Sequence, residues 1–340
     1  MHKYADSGNS TSPCNQRQRI VSVGSLGGTI SSVDFGSGML PVEDLLDKAL
    51  RLSDQLTVRA KTIALLESSE VGFQILIDFL KWAEGEINKG ADGAVLIQGT
   101  DTLEESAFFL DLLWDKPQPL IVTGAMRTAS DIGSDGFKNL RDALFLAANP
   151  DARGRGVLVV LNDEIHEARL VCKRRSTGVG AFESASLGVC GSIRGPYVRF
   201  SRGAPERLVV PVPKTFEKRV GVLQASMDGS PDLIESMLSR RYDGLVIAGF
   251  GVGHVPNSWH PAIEAAAAEI PVLIASRVTE SFSYPDDGWL SAWGARKGEI
   301  HFSGLLDATK SRILLMLLIE ADLLRRESVR EKLRRMFMFA

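Results

Sequence analysis

Cysteine is scarce in this chain. There are three, Cys14, Cys172 and Cys190, odd in number and far apart. That pattern suits neither a disulfide framework nor a zinc site, and it fits a reducing compartment. The histidines, His2, His166, His254, His260 and His301, lack the spacing of metal ligands. An excess of charge of one sign is missing as well. A net charge of −3 gives no electrostatic case for nucleic acid or an anionic membrane as partner. No apolar run reaches membrane length. No repeat of solenoid period and no low-complexity tract is present. Met1 to Arg19 is polar, lacks the apolar core of a standard secretory signal, and reads as a disordered tail. The location expected from these absences is cytoplasmic.

What the chain has is material for sizeable cores. Hydrophobic residues make up 44% of 340 positions, which marks a globular protein, and the length favours two domains. Ile20–Gly24, Thr62–Leu66, Gly93–Ile97, Leu120–Thr123 and Gly156–Leu161 read as strands. Pro41–Leu52, Val71–Lys89, Ser106–Leu113 and Asp135–Ala148 read as the helices between them. This alternation predicts an α/β fold with a doubly wound, mostly parallel sheet. From Asn162 to Arg202 the pattern is less regular, and residues 203–219, with Pro205, Pro211 and Pro213, read as a linker. A smaller α/β unit follows. Its strands are expected at Val220–Leu223, Gly244–Ala248 and Val272–Ala275. Its helices are expected at Pro231–Arg241, Pro261–Glu269, Thr309–Arg326 and Ser328–Phe339, with Pro231 at a first helical position and Ser328 and Glu331 at capping-box spacing. The expected organisation is thus a tail over 1–19, a catalytic domain over 20–202, a linker over 203–219 and a second domain over 220–340.

One stretch organises the rest: Gln98-Gly99-Thr100-Asp101-Thr102-Leu103-Glu104-Glu105. A strand enters it and a helix leaves it, with Thr102 and Glu105 at capping-box spacing. Thr100 and Asp101 then stand at the carboxyl end of a strand, where open α/β sheets bind ligands. Such residues are also ordinary helix caps, so this stretch alone leaves capping and catalysis both open. A second turn, Ser25-Leu26-Gly27-Gly28-Thr29-Ile30, puts Thr29 at the end of the first strand. Its glycines could cradle a phosphate, but neither G-x-G-x-x-G nor G-x-x-x-x-G-K-[ST] is present. Glu67-Ser68-Ser69-Glu70 brings polar groups to another strand end, and Lys173-Arg174-Arg175, taken alone, reads as a solvated basic cluster.

Taken together, Gly27-Gly28-Thr29-Ile30 and Gly99-Thr100-Asp101-Thr102-Leu103-Glu104-Glu105 resemble the two threonine signatures of the bacterial-type L-asparaginase/glutaminase family. The resemblance continues through Gly124-Ala125-Met126-Arg127, Asp135-Gly136 with Asn139-Leu140, and Val157 to Asp163. It returns more weakly at Gly249 to His254 and at Ser276-Arg277-Val278, so it covers nearly all of the chain after the tail. It implies an amidohydrolase that releases ammonia from L-asparagine through an acyl-enzyme, with no metal or organic cofactor, assembled as a homodimer or homotetramer. By this resemblance Thr29 is the nucleophile, while Thr100, Asp101 and Lys173 form a hydrogen-bonded triad. Lys173 is placed by the pattern Lys173-x-x-x-Thr177-x-x-x-Ala181-Phe182. Ser68 matches a serine that holds the substrate's α-carboxylate, and Asp101 also meets its α-ammonium. Gly28, Ser69, Gly99 and Ala125 complete the expected substrate-binding set, with His254 where many relatives have an asparagine reaching the neighbouring subunit's site.

The implied chemistry suits these residue types. A threonine hydroxyl is a weak nucleophile until a base takes its proton. Lysine serves as that base when burial or neighbouring cations lower its pKa, and Arg174 and Arg175 are candidates for such cations. Asp101 would orient Lys173 through Thr100, and N–H groups at the Gly28 and Thr100 turns could face the oxyanion. Direct attack by a water activated at Thr100 is the other order of events.

The sequence departs from the family at three places. No tyrosine lies between Thr29 and Gln98, and the loop at Ser31–Leu40 carries Phe35, which exchanges no proton. Gln98 stands where relatives usually have histidine. The acidic residue that relatives send from the partner subunit has no clear match, Asp287 being the nearest. These departures bear on the substrate more than on the reaction class. The rival expectations are an asparaginase-like hydrolase of another small amide or imide, and a non-catalytic small-molecule binding protein. A tRNA-amidotransferase subunit of archaeal type ranks lowest, because the polar tail is short for its usual extension.

Overall fold

The computed structural model describes residues 17–31, 39, 41–50, 56–184, 187–279, 282–284 and 300–337. Most of the expected tail, the loop that carries Phe35, and Asp287 lie outside these residues.

Layering follows from how the strands divide their side chains. In β3 (Gly93–Ile97) every residue is buried, and successive side chains point to opposite faces. Ala94 and Leu96 enter one apolar cluster, Val95 and Ile97 another. β1 (Arg19–Gly27), β4 (Leu120–Thr123) and β5 (Val157–Leu161) likewise bury side chains on the second face, with Val23, Ile121 and Leu158. Helices α2 (Phe73–Asn88) and α3 (Leu103–Leu113) cover the first face. Helices α1 (Val42–Leu50) and α4 (Gly136–Ala148) cover the second. A sheet covered on both faces needs near-continuous apolar strands, which is what the sequence supplies.

The strand order places the crevice. β2 (Leu56–Leu66) is the edge, and the parallel part runs β2-β1-β3-β4-β5. In such an order the winding reverses between β1 and β3, and ligands bind outside the carboxyl ends of the strands at that reversal. Thr29 follows β1 and Thr100 follows β3, so both stand at the switch point.

The region from Asn162 to Arg202 contains more structure than its sequence pattern suggests. It holds β6 (Glu164–Glu167), β7 (Val171–Lys173), β8 (Phe182–Ser184), β9 (Gly191–Arg194) and β10 (Tyr197–Phe200). β6, β9 and β10 extend the large sheet antiparallel, while β7 and β8 form a separate hairpin. Asn162 and Asp163 have φ of 52° and 68° and make the two-residue turn between β5 and β6. Left-handed Asn and Asp are the residues that such hairpins favour.

Residues 201–219 form no helix or strand, yet they are pinned to α3. Leu208 and Val210 are buried, the Val210 N–H donates to Leu112 O at 2.7 Å, and Arg207 pairs with Asp111 at 3.0 Å. The second domain has a parallel sheet in the order β11 (Val220–Gln224), β12 (Gly244–Gly249), β13 (Val272–Ser276), β14 (Ile300–Phe302). Helices α5 (Asp232–Ser239) and α6 (His260–Glu269) cover its outer face. Helix α7 (Ala308–Glu320) covers the inner face and shares one apolar cluster with α3 and with α8 (Glu327–Phe337). The two domains therefore meet through a continuous core. Two helix starts differ from expectation. Pro231 immediately precedes α5, and Ser328 lies inside α8, so its capping spacing with Glu331 falls within the helix.

Candidate active site

The site begins as a backbone contact. Gly27 and Gly28 have φ of 97° and 88°, a region that costs a side-chain-bearing residue on steric grounds. A Cβ on Gly28 would lie 2.1 Å from Gly99 N and 2.3 Å from Gly99 Cα. The turn after β1 therefore packs main chain against main chain on the turn after β3. Thr29 opens a short 3₁₀ turn there, closed by the Ser31 N–H donating to Gly28 O at 2.9 Å. Gly99 is itself crowded by Ser68, since a Cβ on it would be 2.8 Å from Ser68 Cβ. The carboxyl ends of β1, β2 and β3 thus converge.

The hairpin β7–β8 brings Lys173 to this point. Its ammonium donates to Thr100 Oγ1 at 2.9 Å and to Asp101 Oδ1 at 2.6 Å. Ser68 Oγ donates to Asp101 Oδ2 at 3.0 Å and accepts from the Asp101 N–H at 3.2 Å. The Lys173 hydrogen bond and, more weakly, the Ser68 hydroxyl hold the Asp101 carboxyl below its usual range, against the opposing effect of partial burial. Thr100 and Lys173 are nearly enclosed, with 6% exposure for Thr100 and 17% for the Lys173 side chain, while the Asp101 side chain remains 66% exposed. This is a hydroxyl tied to an amine, the amine tied to a carboxylate, at the strand ends where sheets of this order generally bind ligands.

Residues 20–206 match the family described as "Asparaginase, N-terminal", and residues 219–337 match "Glutaminase/Asparaginase C-terminal domain". The chain belongs to the asparaginase family. A probable periplasmic L-asparaginase of Haemophilus influenzae is 31% identical over 304 residues, 86% of each chain. A probable L-asparaginase of Deinococcus radiodurans is 38% identical over 255 residues, covering 73% of this chain and 76% of that one. The crystal structure of a probable cytoplasmic L-asparaginase from Campylobacter jejuni superposes with a TM-score of 0.83 at 28% identity, over 93% of this chain and 99% of that one. The resemblance carried by the threonine motifs therefore extends through both domains. As an enzyme this chain is an L-asparaginase-like amidohydrolase, a hydrolase of amide C–N bonds.

Other parts of the asparaginase-family sequence have structural jobs around the crevice. The turn Gly124-Ala125-Met126-Arg127 is held by Asp135, whose carboxylate accepts from the Met126 N–H at 3.1 Å and the Arg127 N–H at 3.0 Å. Asn139 donates to Gly124 O at 3.0 Å and to Asp135 at 2.9 Å, and it accepts from the Asn162 N–H at 3.0 Å. Asp135 and Asn139 thus tie the ends of β4 and β5 together. The Ala125 side chain is buried in the core, so only its backbone could meet a ligand. Ser69 is exposed on the turn that presents Ser68. His254 sits in the second domain, in a turn closed by the Phe250 N–H donating to His254 O at 2.6 Å.

Two sequence expectations are corrected here. Thr102 makes no side-chain cap on α3. Its hydroxyl donates instead to Ser68 O at 2.7 Å, and so anchors the Ser68 turn to the start of α3. Arg174 and Arg175, the candidate cations, have partners other than Lys173. Arg175 pairs with Glu183 at 2.6 Å and donates to Gly180 O at 2.8 Å, and Arg174 lies 4.0 Å from Glu183. Sequence reasoning also missed Glu104, whose carboxylate accepts from the Lys173 backbone N–H. Among the described residues no group of three or more His, Cys, Asp or Glu side chains could hold a metal ion, and no helix is long and apolar enough to cross a membrane.

Proposed function

We propose that this protein hydrolyses L-asparagine to L-aspartate and ammonia, using Thr29 as nucleophile. The observation that carries this reading is the placement of the Lys173 ammonium 2.9 Å from Thr100 Oγ1 and 2.6 Å from Asp101 Oδ1 at the switch point of the sheet. Relatives named L-asparaginase, at 28–38% identity, support the substrate. Thr29 Oγ1 bonds to the side-chain carbonyl carbon, the C–N bond breaks, and the nitrogen leaves as ammonia with the proton that Thr29 gave up. Water then attacks the ester, its proton returns to Thr29, and aspartate departs. Thr100 and Lys173 move the proton in both halves, and Asp101 keeps Lys173 in place. N–H groups of the Gly28–Gly99 contact stabilise the tetrahedral oxyanion. Ser68 receives the α-carboxylate and Asp101 the α-ammonium. The active form is a homodimer or homotetramer in the cytoplasm, requiring no metal or organic cofactor; the free thiols of Cys172 and Cys190 suit that compartment.

One observation favours a second substrate. Gln98 is fully buried at the end of β3; among the described residues its Nε2 donates to Gly99 O at 3.4 Å and its Oε1 has no hydrogen-bond partner. A buried acceptor without a donor is costly, and an amide or imide other than asparagine could supply one. The deciding experiment is ammonia release from L-asparagine, L-glutamine and a panel of simple amides by wild-type, Thr29→Ala and Lys173→Met proteins. Release from L-asparagine lost in both variants is the expected result. Turnover of another amide alone replaces the substrate, and silence across the panel overturns the enzymatic reading.

A further inference from the structure

Behind Lys173 lies a buried charge cluster that the reaction above does not use. Lys310, in the first turn of α7, is 0% exposed. Its ammonium donates to Asp307 Oδ2 at 2.6 Å and to Cys172 Sγ at 3.3 Å. Asp307 caps α7, accepting from the Lys310 N–H and the Thr309 hydroxyl, both at 2.8 Å. Cys172 is the residue before Lys173, and its thiol also lies 3.5 Å from Asp307 Oδ2. On the other side, Glu104 in the first turn of α3 accepts from the Lys173 N–H.

These contacts fix both ends of the lysine. The start of α3 and the turn just before it supply Thr100 and Asp101, which hold the Lys173 ammonium, and Glu104, which holds its backbone. We propose that Glu104 is a positioning residue for Lys173, and that the buried Lys310–Asp307 pair of the second domain holds the same strand from its other side through the Cys172 thiol, its cation offsetting the buried Glu104 carboxylate. The inference rests on the reading that Lys173 works on Thr100. Burial prevails and holds the Glu104 carboxyl above its usual range, with the Lys310 charge the largest opposing influence, ahead of the Lys173 N–H. Lys310 itself is held firmly charged by Asp307 despite its burial. Among the described residues, the charged or titratable groups around Glu104 are Lys310 from α7 and Asp307 at its cap, Cys172 and Lys173 from β7, and Glu105 from α3. Cys172 stays a neutral thiol, pushed by burial to about 11. The arrangement lets the second domain act on the active site without touching substrate.

The test is a double-substitution cycle on the full-length enzyme, read as kcat, KM and the pH profile of kcat. Glu104→Gln keeps an acceptor for the Lys173 N–H but removes the charge. It should leave kcat within about fivefold and shift the acid limb of the profile to lower pH, because a nearby anion that favours protonated groups is gone. Glu104→Ala removes the acceptor too, and kcat should fall roughly 30-fold or more with KM changed less than about twofold, the pattern of a mispositioned group. Lys310→Met leaves Glu104 without its counter-charge. It should lower kcat at least about tenfold and move the acid limb to higher pH, and adding Glu104→Gln should recover most of that loss. Additive losses, or a profile that does not move, overturn the proposal. If Lys310→Met fails to fold, the Glu104→Gln and Glu104→Ala pair decides alone: equal kcat in the two overturns it. Lys173→Met and wild type run alongside. An inactive wild type, or an active Lys173→Met, sinks the underlying reading as well. An active wild type and dead Lys173→Met with indifferent Glu104 variants sinks this inference only.

Discussion

Replacing Gly28 by alanine tests the idea that the site is built on a main-chain contact. The new methyl would sit 2.1 Å from Gly99 N, 2.3 Å from Gly99 Cα and 2.8 Å from Gln98 C, all backbone atoms that cannot rotate away. Relief requires moving the turns after β1 and β3 apart by about 1 Å. Forcing atoms into a packed interior costs about 1–3 kcal/mol, and the φ of 88° adds about 1 kcal/mol for any side chain. The expected destabilisation is therefore about 2–4 kcal/mol. Gly90 provides the control. Its φ is 92°, yet nothing lies within 4 Å of an added Cβ, so Gly90→Ala should cost only the backbone share, about 1 kcal/mol. Displacing Thr29 from Thr100 by about 1 Å should also lower kcat about 100-fold. Thermal melts and steady-state ammonia release on both variants give the readout. A Gly28→Ala enzyme with wild-type turnover, or with a Tm no lower than that of Gly90→Ala, would refute the argument.

Three further outcomes follow from particular contacts. Lys173→Met should lower kcat about 10³-fold in the ammonia assay, since proton transfer by a placed side chain is worth 10²–10⁴-fold; a loss under tenfold removes Lys173 from the chemistry. Asp101 is held charged by Lys173 and Ser68, so activity that needs its carboxylate persists above its depressed pKa and is lost as pH falls through it. Ser68→Ala removes one of those donors, so the acid loss should begin at higher pH and KM should rise about tenfold; an unmoved profile contradicts this. His166 is fully buried, and burial pushes its pKa from 6.5 to about 4. A histidine with a depressed folded pKa binds its proton first in the unfolded chain, so stability is retained above about 6.5 and lost as pH falls toward 4. The loss is roughly 3 kcal/mol, and denaturant titrations of wild type and His166→Gln at pH 7 and pH 4.5 should differ by about that amount.

How much of this was legible varies along the chain. The parallel strands were plain, because a strand buried on both faces must be apolar at nearly every position, as Gly93–Ile97 is. The antiparallel extension was not. β6 is Glu-Ile-His-Glu and β9 is Gly-Ser-Ile-Arg, too short and too polar for a clear period. Its one usable signal was Asn162-Asp163, a left-handed pair between two strands. Thr29 and Thr100 were found at strand ends, but their proximity depends on the Gly28–Gly99 contact, which only the fold displays. The Thr102–Glu105 spacing suggested a capping box; tertiary structure overrode it, since the Ser68 carbonyl offered the Thr102 hydroxyl a better-placed acceptor. Glu104 and Lys310 had no local signal, because their roles arise where two domains close on β7.

The exposure of Asp101 leads to a last expectation. Two of its three companions, Thr100 and Ser68, are buried, while its own side chain is 66% exposed in a single chain. An ion pair open to water contributes about 0–1 kcal/mol and is weakened by salt. The same carboxylate, covered by a second copy of the chain, would hold both Lys173 and a substrate ammonium more strongly, because the effective dielectric falls. If the proposed homo-oligomer closes the crevice in this way, dilution through the dissociation range should raise KM before it lowers kcat, and added salt should do the same to the separated chains but less to the assembly. Sedimentation across the same concentrations gives the oligomeric state independently. A KM unchanged while sedimentation records dissociation to single chains would mean that one chain closes its own site.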